Sequence, residues 1–116
     1  MKLFYVAVLN VAFLLASAAG AMPKQNPELV AKGKVAFATN CVVCHGEKGD
    51  GNGPAGMALN PKPRDFTAGV FKNGNKPEQI FKTITDGLPG TPMAGFKNLP
   101  EDDRAALAYY VLSLKK

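Results

Sequence analysis

The sequence predicts an all-α domain with long glycine- and proline-rich loops. Three segments combine helical apolar spacing with helix-start signals, and no segment alternates apolar and polar residues as a half-buried strand does. Twelve glycines and nine prolines, most of them after Cys44, punctuate the rest of the chain too often for long regular elements.

The first 21 residues are set apart from that domain. Lys2 supplies a positive start, FYVAVLNVAFLLA an apolar stretch broken only by Asn10, and ASAAGA the small residues that a signal peptidase reads. Ala19-Gly20-Ala21 places cleavage before Met22, and Ala16-Ser17-Ala18 offers a second position. The apolar run falls short of the roughly 20 residues that span a bilayer, so removal is favoured over retention as an anchor. A lipid-anchored protein would need a cysteine at the cleavage point, and none stands there. Residues 1–21 are therefore expected to be a cleaved signal peptide. Residues 22–116 are expected to be an exported domain, soluble in the periplasm, monomeric and without a permanent membrane anchor.

Within 22–116 the helices follow in order. Asn26-Pro27-Glu28 reads as N-cap, first-position proline and acidic first turn. Leu29, Val30, Gly33, Ala36 and Phe37 then recur at helical spacing until Thr39-Asn40. A second helix opens at Lys76-Pro77-Glu78, shows Ile80, Phe81 and Ile84 on one face and stops at Gly87. Pro100 opens the third, with Glu101, Asp102 and Asp103 at its positive end and Lys115-Lys116 at its negative end. Its apolar stripe is Leu107, Tyr110, Val111 and Leu114. Gly33 costs the first helix about 1 kcal/mol relative to alanine. That cost points to a close crossing there, with the last helix passing near Gly33 and Phe37 through Tyr110.

A chain of roughly 95 residues buries only about 60–65% of its unfolded surface. This one also lacks tryptophan. A large internal prosthetic group would supply apolar core that the side chains do not. Thirteen basic residues face nine acidic ones once Lys2 has left, with the two signs interspersed. No arginine-rich block or basic helix is present, which argues against nucleic acid as a partner. Steering toward an acidic protein surface remains compatible with this charge.

The chemistry is concentrated in CVVCH, which holds both cysteines, Cys41 and Cys44, and the only histidine, His45. A cysteine pair in an exported chain suits a disulfide, a redox dithiol, part of a zinc site or covalent haem attachment. A structural zinc site wants four Cys or His ligands, and the chain has three. A thioredoxin-like dithiol needs a βαβ setting and leaves the histidine unexplained. Haem uses every position: two thiols two residues apart can add to the two vinyl groups on one edge of the ring, and the next residue can place a nitrogen on the iron.

Three stretches, GKVAFATNCVVCHGEKGDGNGPAG, PKPRDFTAGVFK and ITDGLPGTPMAGFKNLPEDDRAALAYYVLSL, resemble the class I (monohaem) cytochromes c. The similarity is to the small bacterial members with a CHGxxGxGxGP stretch and a GTPM loop. It runs through nearly all of 22–116, in order. It implies terminal helices that cross, a middle helix, and one haem c held covalently in a cleft with an exposed edge.

With one histidine, the second axial position falls to a methionine, a lysine or nothing. Met93, in DGLPGTPMAGF, lies among prolines and glycines rather than on an apolar helix face where a gap-filling methionine would sit. The family resemblance places its axial methionine there too. Met57 is the other methionine to weigh, as an alternative ligand or as lining of the haem cleft. By the same resemblance the carbonyl of Pro54 would accept the Nδ1 proton of His45; the alternative is that Pro54 only shapes a turn. Gly46, Gly49, Gly51 and Gly53 are expected to let backbone pass close to the ring. Arg64 suits a haem propionate, an ion pair with Asp65, or solvent. Phe66, Phe71, Phe81, Leu88 and Phe96 are candidates for the pocket wall, some of them being ordinary core instead.

These residues describe an electron carrier rather than an enzyme, docking transiently with redox protein donors and acceptors. The alternatives are a haem subunit of a larger oxidoreductase, or a five-coordinate haem enzyme or gas sensor. The last lacks any distal His, or Arg–His pair, to act on bound oxygen.

Overall fold

The computed structural model describes residues 22–116, so the leader read over residues 1–21 lies outside the described residues. The described residues form four helices and no strand: α1 (Pro27–Asn40), α2 (Val42–His45), α3 (Pro77–Asp86) and α4 (Glu101–Ser113). Two 3-10 turns, Gly56–Ala58 and Phe66–Ala68, punctuate the long connection between α2 and α3. None of these helices is long and apolar enough to cross a membrane.

The helix starts follow from the sequence. Asn26 Oδ1 accepts the Leu29 N–H at 2.8 Å, satisfying one of the orphan donors of α1 behind the Pro27 start. The side chain of Gln79 accepts the Lys76 N–H at 3.0 Å and so closes the start of α3. Gly87, at φ +72°, ends α3 where a side chain would be strained.

Helix α4 is the centre of the packing, with α1 on one side and α3 on the other. Gly33 makes the α1–α4 crossing close. A Cβ there would stand 2.1 Å from the Ala106 carbonyl oxygen and 2.7 Å from Tyr110 Cβ. Beside it the Phe37 and Tyr110 rings lie 5.1 Å apart at 60°. The expected contact at Gly33 is thus present, made with both Ala106 and Tyr110.

Helix α4 buries more than the four-residue stripe. Leu107 and Val111 are buried and Tyr110 and Leu114 half-buried, while Ala105, Ala106, Ala108 and Tyr109 are buried as well. A helix covered on two sides needs a wide apolar face, which small alanines supply without holding the neighbours apart. The helix ends at Ser113, so Lys115 and Lys116 lie beyond its last turn rather than in it. The Lys116 N–H instead donates to the Thr67 carbonyl at 3.0 Å.

Tyr109 also fastens the start of the described chain. Its hydroxyl donates to the Pro23 carbonyl at 2.6 Å, and Met22 packs against the core. Tyr109→Phe removes one hydrogen bond and little packing, so it is expected to cost about 1 kcal/mol in chemical denaturation. It should also raise amide exchange before residue 27 more than in α4.

Candidate haem site

Helix α2 is a single turn that holds Cys44 and His45, with Cys41 as its cap. The backbone bends at Cys41 (φ −121°, ψ −29°), and α2 starts at a new angle to α1. Bonds from Cys44 N and His45 N to the Cys41 carbonyl, at 3.2 and 2.8 Å, close the turn. Cys41, Cys44 and His45 are all half-buried. No disulfide joins the two cysteines, and burial, reinforced by Cys44, pushes the Cys41 thiol up to about 11 where no thioether is formed.

A four-residue helix leaves its carbonyls without intrahelical partners. The loop after it supplies them: Ala55 N–H donates to Val43 O at 2.9 Å, Gly53 to Cys44 O at 3.1 Å and Gly51 to His45 O at 2.8 Å. This wrap requires close approach. A Cβ on Gly53 would lie 2.5 Å from Val42 O, and one on Gly56 2.1 Å from Cys44 O. Gly53 thus brings backbone against the carbonyls of α2, whereas a Cβ on Gly51 would meet Pro63 O at 2.5 Å and one on Gly49 the Leu114 side chain at 2.6 Å.

The imidazole of His45 has a defined environment. Its Nδ1 lies 3.2 Å from the Arg64 carbonyl, and its ring stacks on Phe66 at 4.3 Å between centroids and 20° between planes. With Nδ1–H donating to that carbonyl, Nε2 carries the lone pair and is free to bind a metal. Burial holds the His45 pKa below its ordinary value, against the bond to Arg64, and so favours the neutral, metal-binding form.

Pro54, the expected carbonyl partner, is therefore replaced by Arg64. The bonds that tie residues 51, 53 and 55 to α2 leave Pro54 in an exposed turn. The Phe66 N–H, donating to Gly49 O at 2.7 Å, brings residue 64 back over the histidine. A backbone acceptor delivered by a returning loop carries no side-chain signature, so the sequence could not mark it.

The Arg64 side chain is exposed and takes part in none of the ion pairs of the described residues. Its alternative partner, Asp65, accepts instead from the Thr67 N–H at 2.9 Å. Met57 sits in the Gly56–Ala58 turn with 71% of its surface exposed, and Val43 of α2 is 55% exposed.

Of the aromatic candidates, Phe66, Phe71 and Phe96 are half-buried against the core, with Phe66 and Phe71 stacked at 5.7 Å. Leu88 is half-buried in the loop before Met93. Phe81 is half-buried against the core as well. It lines a groove with Met22, Pro23, Glu78, Glu101, Asp102 and Ala105, and the Arg104 guanidinium carbon lies 5.2 Å from its ring centroid. Ile80 and Ile84 are the buried residues of α3, and Phe81, one position on from Ile80, is half-buried against the same core.

Met93 is half-buried at the end of a small knot. Its N–H donates to Thr91 Oγ1 at 3.2 Å, its carbonyl accepts from Leu88 N–H at 3.0 Å, and the Thr91 hydroxyl donates to Leu88 O at 2.7 Å. Both backbone polar groups of Met93 are thereby fixed.

The donor set fits haem c. It offers two cysteines on one turn with no disulfide between them, a neutral imidazole with its outer nitrogen available, and a thioether on a loop whose backbone is held. The comparisons agree with that chemistry. The family model described as Cytochrome c matches residues 30–115. The chain is 36% identical over 105 residues to the Cbb3-type cytochrome c oxidase subunit FixP of Azorhizobium caulinodans, covering 90% of this chain and 33% of that one. It thus spans about a third of that subunit.

Among solved structures, a chain of the Kuenenia stuttgartiensis reducing HAO-like protein complex superposes with a TM-score of 0.77 at 37% identity, over 84% of this chain and 48% of that one. The KustC0563 c-type cytochrome superposes at 0.58 and 27% identity, over 72% of this chain and 98% of that one. The chain belongs to the cytochrome c family, carries covalently bound haem c and serves electron transfer.

Proposed function

We propose that the mature chain is a soluble one-electron carrier of the periplasm, with Cys41 and Cys44 as haem thioethers and His45 and Met93 as the two axial ligands. Bound haem supplies a one-electron couple at its iron. His45 presents Nε2 because Arg64 O holds its other nitrogen, and Met93 presents a soft sulfur that favours the ferrous state and raises the potential. Two protein ligands leave no position for substrate. The observation that carries this reading is the double anchoring of the Met93 backbone to Leu88 and Thr91, which limits how far the thioether can wander.

Pro54 takes only a turn-forming role here. Met57 and Val43, both exposed, offer apolar surface on which a redox partner would dock briefly. Arg64, with its guanidinium in solvent, suits a propionate, while Phe66 and Phe96 wall the ring.

The test is an oxidised-minus-reduced visible spectrum of the haem-loaded protein. Sharp ferrous α and β bands are expected, together with a weak far-red ferric band lost in Met93→Ala and kept in Met57→Ala. A far-red band that survives Met93→Ala would remove Met93 from the iron.

A second reading has its own support, because the similar FixP chain is an oxidase subunit and the similar Kuenenia chain belongs to a complex. In that reading the same haem domain is a fixed relay in a larger oxidoreductase. Gel filtration of the protein from its native host separates the two: the carrier elutes at the mass of one small domain, the relay with its partners.

A further inference from the structure

We infer that Arg104 positions Met93 by clasping the two ends of the loop that presents it, an inference that rests on Met93 being an iron ligand. The loop leaves α3 at Gly87 and enters α4 after Pro100. Arg104, half-buried near the start of α4, reaches both ends. Its Nη1 donates to the Thr85 hydroxyl at 2.8 Å, and its Nε donates to the Leu99 carbonyl at 3.1 Å. The guanidinium also lies over Phe81, which limits its swing.

Each acceptor is itself held. The Thr85 hydroxyl donates to the Phe81 carbonyl at 2.8 Å, and the Leu99 N–H donates to Phe96 O at 3.0 Å. The returning part of the loop also docks on the end of α3 that Arg104 grips. The Phe96 N–H donates to Ile84 O at 2.8 Å, and a Cβ on Gly95 would meet Thr85 O at 2.5 Å. Arg104 therefore holds the place where the loop departs, the place where it docks and the place where it ends.

Gly87, Gly90 and Gly95 leave such a loop many conformations, and fixing its ends removes much of that freedom. A planar fork with donors at set angles can serve two acceptors in different directions; a lysine ammonium on a flexible stem does this poorly. Both acceptors are neutral, and the ion pairs of the described residues are made by Lys32, Lys82 and Lys97. The guanidinium is used here as a brace rather than as a charge partner.

The test is a visible titration of the ferric, haem-loaded protein with imidazole, which reaches the iron only when the Met93 loop opens. Arg104→Ala is expected to bind imidazole about tenfold more tightly than the wild type, because a lost charged hydrogen-bond donor favours the open loop. Arg104→Lys is expected to follow it, and Thr85→Val, which removes one acceptor, to show a smaller rise. Val111→Ala, which lowers overall stability from the core seven residues along α4 from Arg104, is expected to leave imidazole affinity within about twofold of wild type.

Wild-type affinity in Arg104→Lys and Thr85→Val would overturn the clasp. An equal rise in Val111→Ala would also overturn it, since Arg104 would then act only through global stability. If Met93→Ala itself binds imidazole no better than wild type, the methionine does not guard the iron, and the ligand assignment fails together with the clasp.

Discussion

Replacing Cys41 and Cys44 together by alanine is expected to yield a chain that keeps no haem through acidified-acetone extraction and loses most of its helical circular dichroism. The polypeptide supplies little core of its own. Its buried hydrophobic residues include Ala105, Ala106 and Ala108, and among the described residues only Phe37 and Leu107 are large side chains with less than 2% exposure. Phe66, Phe71 and Phe96 are only partly covered by the rest of the chain. Covalently held haem would add a broad apolar surface against which these rings pack, worth on the order of 25 cal/mol per Å² buried. Small domains sit only about 5–15 kcal/mol above unfolding, so losing one such face is enough to unfold them. The single variants are expected to fall between, each keeping one thioether. A double variant that melts cooperatively near the wild-type temperature would show that the helices stand without the cofactor.

Gly33→Ala is expected to lower the stability of the haem-loaded protein by about 2 kcal/mol or more, and Gly33→Val by more again. Two effects oppose each other at this position. Alanine in place of a mid-helix glycine favours the helix by about 1 kcal/mol. Its Cβ, however, would fall 2.1 Å from the Ala106 carbonyl oxygen, a backbone atom that no rotamer change can move. Relieving that overlap means separating α1 from α4 and loosening the Phe37–Tyr110 contact, so the clash wins. The readout is the denaturant midpoint with an unchanged slope. A midpoint equal to or above wild type would mean that the helices cross without this intimate contact.

The sequence made the helices readable because their signals are local. Asn26 and Pro27 mark one start, Pro77 another, and Gly87 a stop, each acting within a turn of itself. The attachment triplet was equally plain, since Cys41, Cys44 and His45 need only one turn to meet one group. What stayed hidden depends on backbone brought from a distance. The Arg64 carbonyl reaches His45 only because Phe66 bonds Gly49, and Pro54 was the better guess only by resemblance. The loop glycines announce close approaches without saying to what: Gly53 meets the carbonyls of α2, Gly51 the Pro63 carbonyl and Gly49 the Leu114 side chain. Phe81 packs against the core and lines the groove beside Met22 and Pro23, because an aromatic on an apolar helix face serves as core as readily as it walls a pocket. Tyr109 was legible in principle, as Ala105, Ala108, Tyr109 and Leu112 form a second apolar row beside the stripe containing Leu107.

The Arg104 brace, the knot at Leu88–Thr91–Met93 and the Arg64 carbonyl at His45 all bear on one question: whether the iron is closed on both sides at rest. Carbon monoxide answers it most directly. If His45 and Met93 both hold the iron, adding carbon monoxide to the reduced wild-type protein at neutral pH will leave its Soret, α and β bands where they were, and only Met93→Ala will shift. A prompt shift in the wild type would show an open iron, and the protein would then be a haem enzyme or gas sensor instead of an electron carrier.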